Sequence, residues 1–290
     1  MTPLNPYVLK SYRYLRLVMI GLVILLGVSV LIEVFASGAG CWRTSISSYY
    51  WTPVRGVFIA SLVAVGACLV IIKGNTEIED VLLNVAGALA PIVAFVPIID
   101  PRECQSTPWA SATDGGANIK NNVGAFLIAG VLATLVAWIV ARREGNGKVS
   151  RGDVIGLVVT VALVSIGIAL FLFQRTFFDR WAHYLAAIPL FVVLLAVMVA
   201  NAVSFARAHE GRVDAKAVSN RYLLVAVVTL GLVALMGAVT WLRGWDHATF
   251  WIEVVVIGAF VVFWTLQTLE LWDAPEGVRA DPGAGDLTPP

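Results

Sequence analysis

Long stretches of apolar residues, separated by short polar segments, dominate the pattern of this chain. Each stretch holds about twenty mostly apolar residues, the length that an α-helix needs to cross the hydrocarbon core of a bilayer. None of them alternates apolar and polar residues as the strands of a membrane barrel do. The pattern therefore predicts an all-α bundle of about eight spans, at residues 14–36, 54–73, 81–99, 123–141, 154–173, 183–205, 222–242 and 249–269. The polar run 115–122 is expected to be a flexible loop before the fourth span.

The basic residues between the spans predict the orientation, because Lys and Arg favour the cytoplasmic side of a membrane. With eight spans, thirteen of the twenty Lys and Arg residues fall on one side. These are Lys10, Arg13, Arg16, Lys73, Arg142, Arg143, Lys148, Arg151, Arg207, Arg212, Lys216, Arg221 and Arg279. We therefore expect a multi-pass protein of the plasma membrane with both termini in the cytoplasm.

The first span has an alternative interpretation, since basic residues, an apolar run and small residues before Cys41 resemble a secretory signal peptide. The apolar run is longer than the usual signal-peptide core of about 7–15 residues, which favours a retained span.

Composition agrees with a membrane protein, with 59% hydrophobic residues and a mean hydropathy of +0.84. The net charge of +1 comes without any stripe of basic residues, so nucleic acid is not an expected partner. Residues 1–272 form one transmembrane helical domain, and the Gly- and Pro-rich tail 273–290 is expected to be disordered in the cytoplasm. Membrane lipids are the expected partners, and a membrane protein partner or a second copy of the chain stays open.

Two of the three cysteines, Cys41 and Cys104, follow the first and third spans and therefore fall on the outer side. An oxidising compartment permits disulfides, so we expect a bridge between them. The alternative is a pair of incidental, unpaired thiols. Cys68, in the middle of the second span, is expected to be a small buried apolar residue.

Charged side chains inside spans are costly and usually face protein or water. Glu33 and Glu253 lie near the outer ends of the first and eighth spans, flanked by apolar residues. Four further polar residues are expected at a similar depth on the same side: Arg55, Asp100, Arg175 and His183. They favour either an outward-opening polar vestibule or a belt at the membrane interface. The belt would comprise Trp42, Tyr49, Tyr50, Trp51, Trp181, Tyr184, Trp241, Trp245 and Trp251.

Motifs for known chemistry are scarce. The three histidines fall on both sides of the membrane, and no close pair of ligands suggests a metal, so neither a metal nor a cofactor is expected. No Gly-x-Ser-x-Gly elbow or phosphate-binding glycine loop occurs.

Four short motifs remain, with Phe58 close behind the first: Ser45-Ile-Ser-Ser-Tyr-Tyr-Trp-Thr-Pro-Val-Arg55, Glu79-Asp80 before Leu-Leu-Asn-Val-Ala-Gly87, His183 before Ala186-Ala187, and Phe250-Trp-Ile-Glu253. Together they resemble a pattern in uncharacterised bacterial multi-pass membrane proteins of the domain-of-unknown-function kind. The resemblance covers most of the chain and implies no activity. It does imply that one site contains Ser45, Tyr49, Tyr50, Arg55, His183 and Glu253.

Three hypotheses about function follow, and whether the protein is an enzyme stays open. The first is binding or transport of a lipid or small amphiphile through the outward-facing polar vestibule. The second is a structural or accessory subunit, in which a face with Ala86, Ala90 and Ala94 packs against a partner. The third is a hydrolase of outer-leaflet lipid, with a carboxylate or histidine as general base.

Overall fold

The computed structural model describes residues 6–38, 42–74, 76–98, 113–144, 151–208, 220–270 and 272. Within these ranges all regular secondary structure is helical, which confirms the predicted all-α class. The elements are α1 (Pro6–Ala36), a 3-10 helix (Ile46–Trp51), α2 (Arg55–Ile71), α3 (Glu77–Phe95), α4 (Thr113–Glu144), α5 (Arg151–Phe173), α6 (Arg175–Ala208), α7 (Arg221–Arg243) and α8 (Ala248–Glu270).

Seven of the described helices are long and apolar enough to cross a membrane, and α2 is the exception. It is apolar but only 17 residues long. At the rise of an α-helix this length corresponds to about 26 Å, slightly less than the hydrocarbon core of about 30 Å. Helix α2 corresponds to the second predicted span, residues 54–73.

Several helices extend beyond the predicted spans, because hydropathy reports the part of a helix that suits lipid rather than the whole helix. Helix α3 begins at Glu77 because Thr76 caps it, with the Thr76 hydroxyl accepting from the Glu79 backbone N–H at 3.2 Å. The prediction of a loop at 115–122 is wrong, since these residues belong to the first turns of α4.

Six helices form a closed ring in the described part of the chain. Going round it, α1 packs on α2, α2 on α3, α3 on α6, α6 on α7, α7 on α8, and α8 on α1. Helices α4 and α5 lie outside this ring and pack against α3 and each other. Their contact with α3 and α6 forms a second, smaller core around Val96, Val123 and Phe178. The main core lies inside the ring.

The crossing of α2 and α3 depends on small residues. A Cβ atom on Gly66 would lie 2.8 Å from the Gly87 carbonyl oxygen, and one on Gly87 would lie 2.6 Å from the Gly66 carbonyl oxygen. Ala86, Ala90 and Ala94, expected to face a partner protein, are buried inside the chain. Small residues allow close backbone approach between helices in lipid, and here they serve packing within one molecule.

The two ends of the ring have distinct partners. At the first, called the Glu253 end, segment 42–54 meets the start of α8 and the residues after α3, with Trp51 Nε1 donating to the Ile98 carbonyl at 2.8 Å. At the second, called the Glu79 end, the Tyr12 hydroxyl donates to the Lys73 carbonyl at 3.2 Å. Arg13, in the first part of α1, lies over the ring of Trp272, which follows α8. The N-terminal end of α1 and the C-terminal end of α8 therefore lie together at the Glu79 end.

Candidate functional site

The 3-10 helix is built around a serine-rich turn at the Glu253 end. Ser45 caps it, because its hydroxyl oxygen accepts from the Ser47 backbone N–H at 3.1 Å. The preceding residue, Thr44, accepts at 2.8 Å from the backbone N–H of Phe250, one of the first-turn amides of α8 that lack a partner within the helix. These bonds bring the serine-rich turn against the start of α8.

Glu253, in the second turn of α8, is buried, and its described hydrogen bonds come from this turn. The Ser45 hydroxyl lies 2.9 Å from each carboxylate oxygen, the Ile46 backbone N–H donates to Oε2, and the Ser47 hydroxyl lies 3.5 Å from Oε1. These bonds hold the carboxylate in a fixed position against the serine-rich turn.

A cavity of about 100 Å³ lies inside the helix ring next to Glu253. Side chains from α1, α2, α3, α6 and α8 line it, most of them apolar, such as Leu26, Phe58, Leu69, Val93, Leu194 and Phe260. The lining residues of α2 extend from Phe58 to Leu69, about 16 Å at the helical rise. The space is therefore narrow and runs along the helices.

Three polar side chains line this cavity: Ser47, Ser61 and Glu253. Ser61 is 1% exposed, and its hydroxyl has no hydrogen-bond partner among the described residues. Most helical serines and threonines buried in this way donate to a carbonyl four residues earlier, as Thr229 does here. A buried hydroxyl without a partner is costly, so Ser61 is an unsatisfied polar group among the residues that line the cavity.

Aromatic side chains cover the start of α8. The Trp42 ring makes edge-on contacts with His247, Phe250 and Trp251, at centroid distances of 5.4, 5.6 and 5.9 Å. Tyr49 packs against Phe250 from the 3-10 helix at 6.3 Å. This aromatic group holds segment 42–54 over the Glu253 end of the ring.

The other predicted vestibule residues lie in separate pairs rather than around Glu253. Glu33 is half-buried and accepts from the Ser37 hydroxyl at 2.8 Å. Arg55 donates to the Tyr50 hydroxyl at 2.8 Å and lies over the Tyr50 ring.

Arg175 pairs with Asp179 at 2.9 Å. His183 donates from Nδ1 to the Val96 carbonyl at 2.6 Å, and its Nε2 has no partner in the described part of the chain. Of the nine predicted binding residues, Ser45 and Glu253 are thus hydrogen-bonded to each other. Tyr49 and Tyr50 lie in the 3-10 helix that follows Ser45, and Arg55 begins α2 shortly after it.

The aromatic residues were predicted to form a belt at the membrane interface, and their exposed fractions divide them into two groups. Tyr49 and Tyr50 are 1% and 0% exposed, so they belong to the protein interior. Trp181 and Trp241 are 44% and 86% exposed, as expected of residues at a membrane interface. Arg43, just before the 3-10 helix, is also buried.

Three predicted residues lie outside the described residues: Asp100, Cys41 and Cys104. The Cys41–Cys104 disulfide therefore stays a prediction. Cys68 is a free, buried thiol, as predicted. The described residues contain no group of three His, Cys, Asp or Glu side chains arranged to hold a metal ion.

A second buried polar cluster, at the Glu79 end, was not predicted from the sequence. Asn201 Nδ2 donates to Glu79 Oε1 at 2.7 Å, and Gln267 Nε2 donates to Asn201 Oδ1 at 2.9 Å. The three side chains come from α3, α6 and α8 and are almost fully buried. The sequence pattern did not indicate this cluster, because the three residues lie near the ends of separate predicted spans. The burial of the three polar groups on facing helices identifies it.

The comparisons with known proteins give no identity. The sequence matches no protein-family model, and no curated protein or solved structure is significantly similar to it.

Proposed function

We propose that this protein is an eight-span protein of the plasma membrane that binds a small amphiphile inside its helix ring. Seven long apolar helices, the apolar helix α2 and the position of the start of α1 and the end of α8 together at the Glu79 end support eight crossings. The excess of basic residues on that side supports a cytoplasmic Glu79 end. The Glu253 end then faces outward.

The observation that carries the proposal is the narrow apolar cavity with a carboxylate beside it. Ligand sites are typically concave and mostly apolar, with a few polar groups that orient the ligand. Here the polar groups are Glu253, Ser47 and the unpartnered hydroxyl of Ser61. An amphiphile fits this division, because its apolar chain fills the cavity and its polar end hydrogen-bonds to these three side chains.

The volume limits the ligand, or the part of it that enters. An apolar cavity of about 150 Å³ in another protein accepts benzene, so a cavity of about 100 Å³ suits a short alkyl chain. Trifluorobutanol, a four-carbon alcohol that carries a trifluoromethyl group, is therefore a suitable probe. Fluorine NMR distinguishes protein-bound probe from probe dissolved in lipid when empty nanodiscs serve as the reference.

We expect trifluorobutanol to bind the wild-type protein in nanodiscs with one site per chain. Val65→Phe, which places a ring in the cavity, is expected to weaken binding by at least about tenfold, because the ring occupies the space of the chain. Val192→Phe is the matched control, since Val192 is 59% exposed on α6 and does not line the cavity. Equal binding by both variants, or no saturable binding by the wild type, would overturn the proposal.

A further inference from the structure

We infer that the polar end of the bound amphiphile is an aliphatic amine in its ammonium form, and that Glu253 binds this ammonium group. The inference rests on the proposed function and specifies the class of ligand. Three observations carry it: the neutral surroundings of a buried carboxylate, the place of that carboxylate in the cavity wall, and the unpartnered hydroxyl on the same cavity.

Glu253 is a buried carboxylate whose partners are all neutral. It is 7% exposed, and its hydrogen bonds come from Ser45, Ile46 and Ser47. No basic side chain among the described residues is a partner of Glu253, whereas Asp80 pairs with Lys73 and Asp179 pairs with Arg175. An ionised group in an apolar interior is costly unless it is paired, so a cationic ligand supplies a positive charge that the described residues do not.

The same carboxylate forms part of the cavity wall. Its described hydrogen bonds come from Ser45, Ile46 and Ser47, and two of these residues, Ile46 and Ser47, line the cavity beside it. A group that enters the cavity therefore meets the carboxylate and the serine-rich turn together.

The hydroxyl groups on the cavity suit an ammonium group better than an alcohol or an acid. An ammonium has three N–H donors and no acceptor. Glu253 accepts one of them, and the Ser61 and Ser47 oxygens are acceptors on the same cavity wall. An alcohol offers one donor and leaves the charge unpaired, and a carboxylate adds a second negative charge in an apolar space.

The test compares three probes with one shape: trifluorobutylamine, trifluorobutanol and trifluorobutyrate, each followed by fluorine NMR in nanodiscs. We expect the wild type to bind the amine at least about tenfold more tightly than the alcohol, and the carboxylate most weakly, since a charge-assisted bond is about twice as strong as a neutral one. In Glu253→Gln the preference for the amine is expected to disappear. The side chain of this variant keeps its size and an acceptor for the Ile46 N–H.

Glu79→Gln is the matched control, because it removes a buried carboxylate at the opposite end of the ring. We expect this variant to keep the wild-type ratio of amine to alcohol affinity. Loss of the ratio in Glu79→Gln but not in Glu253→Gln would place the amine elsewhere and overturn the inference.

The outcomes for the wild type separate the two proposals. Equal affinity for the amine and the alcohol overturns the amine inference and leaves the amphiphile site standing. No saturable binding of any probe overturns the amphiphile site itself. If Glu253→Gln does not fold, Val65→Phe decides, since tight amine binding that survives a ring in the cavity contradicts the inference.

Discussion

At the residue scale, the environment of Glu253 depends on one short turn of the backbone. Ser45 has two roles there, since its hydroxyl caps the 3-10 helix and donates to the carboxylate. Ile46 adds a backbone N–H that has no other route to a partner in this turn. Glu253 is therefore the acceptor for the Ser45 and Ser47 hydroxyls and for the Ile46 N–H.

This arrangement predicts the response of stability to substitution at Glu253. Glu253→Leu leaves the buried Ile46 N–H unpaired and is expected to reduce the free energy of unfolding by about 1–3 kcal/mol. Glu253→Gln keeps an acceptor oxygen and is expected to cost less. Thermal unfolding of the purified variants in detergent measures both effects.

Glu33→Leu is the control for that experiment, because Glu33 is half-buried on α1 and its described bond is to the nearby Ser37 hydroxyl. We expect it to melt close to the wild type. If Glu253→Leu also melts with the wild type, the hydrogen bonds of the serine-rich turn do not stabilise the fold.

At the scale of helices, the crossing of α2 and α3 brings two backbones into close contact beside the cavity. Each backbone contacts the other at a glycine, and Ala90 lies beside Gly66 in the same contact. Because lipid provides no hydrophobic drive between helices, such close packing is a main source of their association. The crossing also sets the spacing of Ser61 and Val93, which line the cavity from α2 and α3.

Alanine at either glycine tests this contact. Gly66→Ala and Gly87→Ala each place a methyl group less than 3 Å from a carbonyl oxygen, and we expect each to destabilise the protein by about 1–3 kcal/mol. Gly231→Ala on α7 is the control, since nothing lies within 4 Å of its added methyl. It is expected to be neutral or stabilising by up to about 1 kcal/mol, because alanine favours helix. Equal unfolding midpoints for all three variants would show that α2 and α3 can move apart at the crossing without loss of stability.

The polar cluster at the Glu79 end connects helices that the cavity separates. Asn201 lies between Glu79 of α3 and Gln267 of α8 and also donates to the Val197 carbonyl at 3.0 Å. Buried polar networks fix the rotation of helices about their axes, since a turned helix would leave its members unpaired. This cluster therefore holds the Glu79 end of the ring in register, while the Glu253 end carries the proposed ligand site.

At the scale of the whole molecule, the proposed eight crossings predict the side of the membrane on which each connecting segment lies. We expect reporters that require the exterior compartment to be inactive when fused after residue 150 or residue 215, because both points follow an even number of predicted crossings. A fusion after residue 110, within the outward segment, is the positive control. Activity at residue 150 or 215 would contradict the proposed orientation.

The sequence by itself determined the class of fold and the approximate limits of the membrane helices. These properties are local, because about twenty apolar residues in a row suit lipid only as a helix, whatever surrounds them. It also singled out Glu253, since an acidic residue between apolar neighbours stands out, whereas Ser45 was assigned to the site only by the resemblance of its motif to those of other multi-pass proteins. It did not show that the two touch across 208 positions of chain.

Only the tertiary structure decided which polar groups share an environment. Glu33, Arg55, Arg175 and His183 are at similar positions within their spans, yet each bonds to a partner of its own, because the rotation of a helix selects which neighbour a side chain meets. The same rotation buries Asn201 and Gln267 against Glu79 and leaves the cavity between five helices. Hydropathy gives the length of a helix but not its rotation or its neighbours, and those two quantities place the site.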